Sequence, residues 1–334
     1  MYKLVNDFLS EIKVGARQSH HNMTLYCLLS AREAAVDFLT MDEALAQDLL
    51  VVTEVTEGGS VPELRVRNRA DHKVLMLDGE ELVGAKQNRV LNVTILLAPQ
   101  SDTIIPVSCV EQGRWSYRSR RFGSEARAMS AYLRKKKAET VTRNLRRGER
   151  FRSDQGVVWD EIQGKYERMA ARRSPTMAMA DLYESCKESA SDYLRTFHVV
   201  SNQVGMAVFI DAAFAGIDIL GKFGTFEKTF GKLVNSYVMD ALETAHEGKT
   251  TARSSRRAIT SRILQSAMEA HVEARKSVAL GVDFRLESPD LHGAGLEYDN
   301  YILQMSIFQK NGQETRTRRS SGMASASRRG RIVH

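Results

Sequence analysis

The sequence predicts an α+β fold in which a mixed or antiparallel sheet is built from N-terminal and C-terminal strands. Three observations point there. Runs rich in Val, Ile, Leu and Thr fill the first third, the middle is Ala/Arg/Lys/Glu-rich, and strand patterning returns after residue 203.

The first runs are LLVVTEV (49–55), ELRVRN (63–68), KVLML (73–77), VLNVTILLA (90–98) and TIIPVSCV (103–110). EGGSVP, NRAD and APQSD punctuate them with the expected turn chemistry. TMDEALAQ (40–47) reads as a short helix, with Thr40 as N-cap and Glu43 completing a capping box. Residues 124–147 and 158–173 read as helices separated by FRSDQG, and Ser174-Pro175 divides them from a longer helical run over 176–197. Together, residues 116–196 form a basic helical insert whose charged side faces solvent.

QVGMAVFI and AGIDIL (203–220) return to strand, with Asp211 and Asp218 flanking a tight reversal, read as turn residues. Over 226–246, Phe226, Phe230, Leu233, Tyr237 and Ala241 recur at three- and four-residue spacing, an amphipathic helix packed on a core. Another helix covers 255–274. VALGVDFRLE (278–287) and GLEYDNYILQMSIFQ (295–309) form a closing pair of strands. The tail, 311–334, is poor in bulky apolar residues and predicts disorder. Residues 1–310 are thus read as one domain carrying the insert, followed by a basic tail.

A chain of 334 residues with 43% hydrophobic and 27% charged residues has a soluble globular composition. Cys27, Cys109 and Cys186 form no CxxC pair, which argues for a reducing, cytoplasmic setting and against a disulfide framework. No uncharged apolar run approaches the roughly 18 residues of a membrane span, so no membrane partner is expected. The histidines show no HxH or HExxH spacing, and no metal site is expected. VGAKQN lacks the glycines and terminal Gly-Lys-Ser/Thr of a phosphate-binding P-loop. The net charge of +7 is concentrated in two places. Residues 118–152 hold 13 Lys/Arg against three glutamates, and the tail holds six arginines against Glu314. The rest of the chain is net acidic.

The densest polar stretch is GEELVGAKQNR (79–89), set between apolar runs. Side chains alternate faces along a strand. Gln87 and Arg89 therefore continue the face of Leu91, Val93, Ile95 and Leu97, and Glu111 continues that of Ile105, Val107 and Cys109. If the two strands are antiparallel neighbours, Gln87 and Arg89 approach Cys109 and Glu111. Arg89 then pairs with Glu111, because a buried charge needs a partner or a ligand, while Glu80, Glu81 and Lys86 arrive from the turn. The result is either an internal polar network or a binding pocket. Cys109 is either an inert core thiol or a nucleophile.

These two segments, GEELVGAKQNRV and IPVSCVEQGRWSY, resemble the ARPP domain family, the domain associated with ADP-ribosylglycohydrolases and rhodanese-like phosphatases. The resemblance rests on Gly84, Lys86, Gln87 and Arg89, then Cys109, Glu111, Gly113, Arg114 and Trp115. Ala85 stands where a second glycine is usual, and Asn88 where aspartate is common, which removes a carboxylate able to act as base or metal ligand. QVGMAVFI, AGIDIL and KLVNSYVMDAL resemble the family's second half.

The family context implies an NAD-derived nucleotide of the ADP-ribose type, or a related phosphorylated metabolite, but no particular reaction or cofactor. Lys86, Arg89 and Arg114 suit a phosphate or diphosphate. Gln87 and Asn88 add polar contacts, and Trp115 either stacks on a base or covers the core. Glu80, Glu81 and Glu111, with Cys109, are the catalytic candidates, the glutamates able to hold ribose hydroxyls, act as general base or bind Mg²⁺. A rival from another class is nucleic-acid binding through 118–152 and 316–331, with Tyr117, Phe122 and Tyr132 stacking on bases. A homo-oligomer contact between the basic insert and the acidic body is a third.

Overall fold

The computed structural model describes residues 2–245 and 255–310, so the predicted tail lies outside the described residues. The chain opens with α1 (Lys3–Ser10) and a hairpin of β1 (Lys13–His20) and β2 (Met23–Leu29). β3 (Phe38–Thr40) runs into α2 (Met41–Ala46), where Thr40 and Glu43 form the expected capping box. Next come β4 (Leu50–Glu54), β5 (Glu63–Asn68), β6 (Lys73–Met76), β7 (Glu81–Gly84) and β8 (Arg89–Leu91). β9 (Ile95–Leu97), β10 (Ser101–Cys109) and the short β11 (Phe122–Gly123) complete this group.

Four helices follow: α3 (Ala131–Arg146), α4 (Gln155–Arg168), α5 (Met179–Ser185) and α6 (Lys187–Thr196). After β12 (Gln203–Ile210) and β13 (Ala213–Leu220) come α7 (Phe223–Thr244) and α8 (Arg256–Met268). β14 (His271–Lys276), β15 (Val282–Glu287), β16 (Leu291–Tyr298) and β17 (Tyr301–Gln309) close the described chain. No described helix is long and apolar enough to cross a membrane.

The α+β class holds, and both ends of the chain build one sheet. Its eight strands run β1-β2-β12-β13-β17-β16-β15-β14, and every neighbouring pair is antiparallel. Period-two alternation sorts its side chains between two cores. Leu25, Cys27, Met206 and Val208 meet Phe226, Phe230, Leu233 and Tyr237 of α7, and Tyr193 of α6. Tyr26, Leu28, Ala207 and Phe209 face the other way, onto Val5 and Leu9 of α1 and Leu264 of α8. Burial of each large apolar side chain contributes about 1.5–3 kcal/mol.

The runs in the first third form a separate closed barrel, in the order β10-β5-β4-β11-β7-β8. Leu50, Val52, Leu64, Val66, Leu82, Leu91, Ile105 and Val107 fill it. A small sheet, β3-β6-β9, packs beside it.

Several sequence expectations are corrected. VLNVTILLA is not one strand: β8 belongs to the barrel and β9 to the small sheet. The polar residues between them hold the break, with Asn92 donating to the Phe151 carbonyl at 3.0 Å and Thr94 donating to Gln304 at 2.8 Å. The helix expected from 124 starts at Ala131, because residues 127–129 hydrogen-bond to the barrel through Glu81 and Gly79. The run 176–197 is two helices, and the helix expected over 255–274 ends at Met268, before β14.

The charged side of the insert is not wholly in solvent either. Arg134, Lys137 and Lys165 are among the largest fully buried side chains of the protein. Lys137 pairs with Asp78, and Lys165 with Asp240 and Glu243. Asp211 has the left-handed backbone of a turn, but Asp218 is an interior residue of β13, gripped by Arg134 through two 2.8 Å hydrogen bonds.

Arg134 also fixes a glycine at the start of the polar stretch 79–89. Gly79 has φ +83°, and a Cβ there would stand 2.6 Å from Cδ of Arg134. Both ends of that guanidinium are pinned, so the arginine has little room to move. Gly79→Ala is expected to cost about 1–3 kcal/mol from strained backbone and overpacking. A urea denaturation series checks this, and an unchanged midpoint would show that Arg134 yields.

Candidate functional site

The polar stretch and its downstream partner meet at one end of the barrel. β8 and β10 are antiparallel neighbours, the condition set by the sequence reading, with Arg89 opposite Cys109 and Leu91 opposite Val107. Arg89 and Cys109 therefore continue the face that fills the barrel. Glu54, at the end of β4, continues the inward face of Leu50 and Val52 to the same end.

Arg89 does not pair with Glu111. Arg114 takes Glu111 instead, side-on, with Nε to Oε1 at 2.8 Å and Nη2 to Oε2 at 2.7 Å. Burial pushes the Glu111 carboxyl up, but the Arg114 fork and the Asn88 N–H outweigh it and leave it below its ordinary value. Arg114 spends its remaining edge on the Ala85 and Ser116 carbonyls, at 2.6 and 2.9 Å. It is a clamp closing the loop 110–116 over the turn 84–88, not an open phosphate ligand.

Arg89 is left with an unpaired edge. Its Nη1 donates to Gln87 Oε1 at 3.1 Å and to the Asn88 carbonyl at 3.4 Å. Its Nε and Nη2, which together form the bidentate face of a guanidinium, have no hydrogen-bond partner among the described residues. The side chain is 0% exposed, and no described carboxylate lies within 4.0 Å of it. Burial lowers its pKa, the charges of Cys109 and Glu54 opposing that. Glu54 Oε2 is likewise buried and unpartnered among the described residues, while Oε1 accepts from the Lys86 N–H at 3.4 Å.

The rim is cationic and aromatic. Lys86 Nζ donates to the Gly58 carbonyl at 2.7 Å and stands 5.3 Å from the Trp115 ring and 5.0 Å from Tyr117. Trp115 also lies 5.8 Å from the Arg89 guanidinium. Both rings are about half exposed. Gly59 fits tightly among these groups: a Cβ on it would meet Lys86 Cδ at 3.1 Å, Trp115 at 3.2 Å and Glu54 Oε2 at 3.5 Å.

Gln87 organises the floor. Its Oε1 accepts from Arg89 and from the Cys109 thiol at 3.1 Å, and its Nε2 donates to the Glu111 carbonyl at 2.8 Å. Cys109 is fully buried, and desolvation pushes its thiol above the ordinary value, with the Arg89 charge pulling only part of the way back. That is the reverse of what activates a nucleophilic cysteine.

The three glutamates expected to act together are apart. Consecutive strand residues face opposite ways. Glu80 turns toward α7, pairing with Lys232 and accepting from the Leu77 N–H at 2.7 Å. Glu81 lies behind the turn, accepting from Asn88 Nδ2 at 3.3 Å, with Arg127 Nε 3.5 Å away but not aligned as a hydrogen bond. Asn88 thus explains its own amide: Oδ1 accepts from the Gly84 N–H at 3.2 Å while Nδ2 faces Glu81. An aspartate here would set two carboxylates together. Ala85 has φ +38°, the left-handed region that suits the glycine usual at this position.

Burial, opposed by Arg127, lifts the Glu81 carboxyl from 4.5 to about 7. A carboxyl raised in the folded state stabilises fully below its unfolded pKa, and that contribution is lost as pH rises through 7. The shift corresponds to about 2–3 kcal/mol between pH 5 and pH 8. Glu81→Gln is therefore expected to stabilise the protein relative to wild type by that amount more at pH 8 than at pH 5. Parallel stability profiles for the two proteins over this range would rule out the shift.

Glu54 and Gly59 were not among the candidates drawn from the sequence, and Tyr117 was drawn only as a stacking residue of the nucleic-acid reading. Glu54 ends an apolar run with nothing to mark it, and its role depends on barrel closure, which brings β4 round to β8 through β11.

The fold and site define an α+β protein with a buried, unpaired arginine fork beneath an aromatic, cationic barrel mouth. The chain belongs to the ARPP-1 family, described as the ARG and Rhodanese-Phosphatase-superfamily-associated Protein domain, whose model matches residues 11–308. Comparison with curated proteins and with solved structures gives no match.

Proposed function

We propose that the barrel mouth binds an NAD-derived nucleotide of the ADP-ribose type, or a related phosphorylated metabolite. The observation that carries this reading is the buried Arg89, fixed through Nη1 with its Nε–Nη2 face unpaired. A buried guanidinium without a carboxylate is costly unless a ligand supplies the charge, and that face matches two oxygens of a phosphate. Lys86 adds a second cation at the rim. Trp115 and Tyr117 offer stacking surfaces for a base, and the free oxygen of Glu54 suits a ribose hydroxyl. Gln87, Asn88, Glu111 and Arg114 hold the turn and the arginine in place. A cytoplasmic setting, where such nucleotides are made, fits the three free cysteines.

The family's association with ADP-ribosylglycohydrolases supports the choice of nucleotide, and the geometry supports the phosphate and the base separately. Calorimetric titration is expected to show saturable 1:1 binding of ADP-ribose, weaker binding of ribose 5-phosphate, and weaker binding still of adenosine. No heat with any adenine nucleotide would sink the proposal.

A further inference from the structure

The turn joining β1 to β2 carries adjacent histidines, His20 and His21, and α6 brings Asp192 to them. Neighbouring residues in a strand point to opposite faces. Here the strand ends at His20, and the left-handed backbone of His21, φ +45°, turns the second ring back beside the first. The ring centroids are 4.0 Å apart. Both Nε2 atoms converge on one carboxylate oxygen, Asp192 Oδ2, at 2.9 Å and 3.3 Å. All three ligand atoms lie within 4.8 Å of one another. Metal–ligand bonds of about 2.0–2.2 Å arranged tetrahedrally separate ligand atoms by roughly 3.3–3.5 Å, so small side-chain shifts would seat an ion between them.

The surroundings orient these groups. Arg195 lies 3.5 Å from Oδ1 of Asp192, leaving Oδ2 for the histidines. The Tyr193 ring packs edge-on against His20, 5.0 Å between centroids, and its hydroxyl donates to Asn22 Oδ1 at 2.8 Å. Asn22 Nδ2 in turn donates to the Ala241 carbonyl of α7 at 2.9 Å, so the turn is anchored independently of any ion. Outer contacts of this kind fix ligand geometry in metal sites. The His21 side chain is 60% exposed and that of Asp192 51%, which gives an ion direct entry from solvent.

We propose that His20, His21 and Asp192 form a surface site for a divalent zinc-class ion, clamping the β1–β2 turn onto α6. Two imidazoles and one carboxylate suit zinc and its neighbours, whereas calcium and magnesium take oxygen ligands. Three protein ligands leave a fourth position for water. The site shares no residue with the barrel mouth, so the two proposals stand or fall separately.

The test uses the full chain without a histidine tag, stripped with chelator and titrated with zinc chloride. Saturable uptake of one ion is expected, together with a zinc-dependent rise in melting temperature and, with cobalt(II), visible ligand-field bands of a four-coordinate ion. His21→Ala and Asp192→Ala are each expected to weaken binding at least about tenfold. The His21 side chain is 60% exposed, so the metal-free melting temperature of His21→Ala is expected to match wild type. Absence of saturable uptake by wild type overturns the proposal. So does binding that persists unweakened in both variants, which would place the ion elsewhere.

Discussion

Replacing Asp218 with asparagine is expected to destabilise the protein by about 3–5 kcal/mol, the cost of stranding a buried cation. Asp218 is 2% exposed and accepts from Arg134 Nη1 and Nη2, from the Tyr237 hydroxyl at 2.8 Å and from Ser306 at 2.6 Å. Burial alone would raise its carboxyl, but Arg134 holds it below the ordinary value. The partners come from α3, α7 and β17, and Arg134 also packs on Gly79 beside the barrel. Losing the carboxylate therefore loosens barrel, helix and sheet together. Urea unfolding should show a large midpoint shift. A double-mutant cycle with Arg134→Met should show strong coupling, the double variant costing less than the sum of the singles. A small, additive effect would mean that water reaches the pair.

The second large effect has the opposite sign. Arg89→Met is expected to raise the stability of the ligand-free protein by about 1–3 kcal/mol, because it replaces a buried charge lacking a carboxylate with an apolar side chain of similar length. The same change should remove nucleotide binding. Stability gained together with binding lost is the signature of a residue kept for its ligand. Arg134 is an equally buried arginine, yet its charge is fully matched and its loss should destabilise. Arg89→Met offers that contrast within one protein.

Much of this organisation was legible in the sequence where local chemistry decides it. Thr40 and Glu43 marked a helix start, and side-chain parity in 87–97 and 105–111 brought Gln87 and Arg89 toward Cys109 and Glu111 on the condition that the two strands are antiparallel neighbours, which they are. The two motifs identified the family and the stretch of chain that builds the barrel mouth. What escaped depends on contacts distant in sequence. Arg134 and Lys137 sit in a run of four cations that reads as a solvated face, and only the packing of α3 against Asp218 and Asp78 turns two of them inward. Parity placed Arg89 near Glu111 but could not show that Arg114, three residues beyond Glu111, would take it first. Asp192 lies 171 residues from His21, so no spacing rule could join them.

The proposal that the unpaired face of Arg89 receives an anionic nucleotide is tested most directly by calorimetric titration of ADP-ribose into wild type and Arg89→Met side by side. The expected result is 1:1 binding to wild type and a loss of about 2–4 kcal/mol in the variant, roughly 30- to 1,000-fold in Kd. Equal affinity in the two folded proteins would contradict the account and leave Arg89 as part of the scaffold.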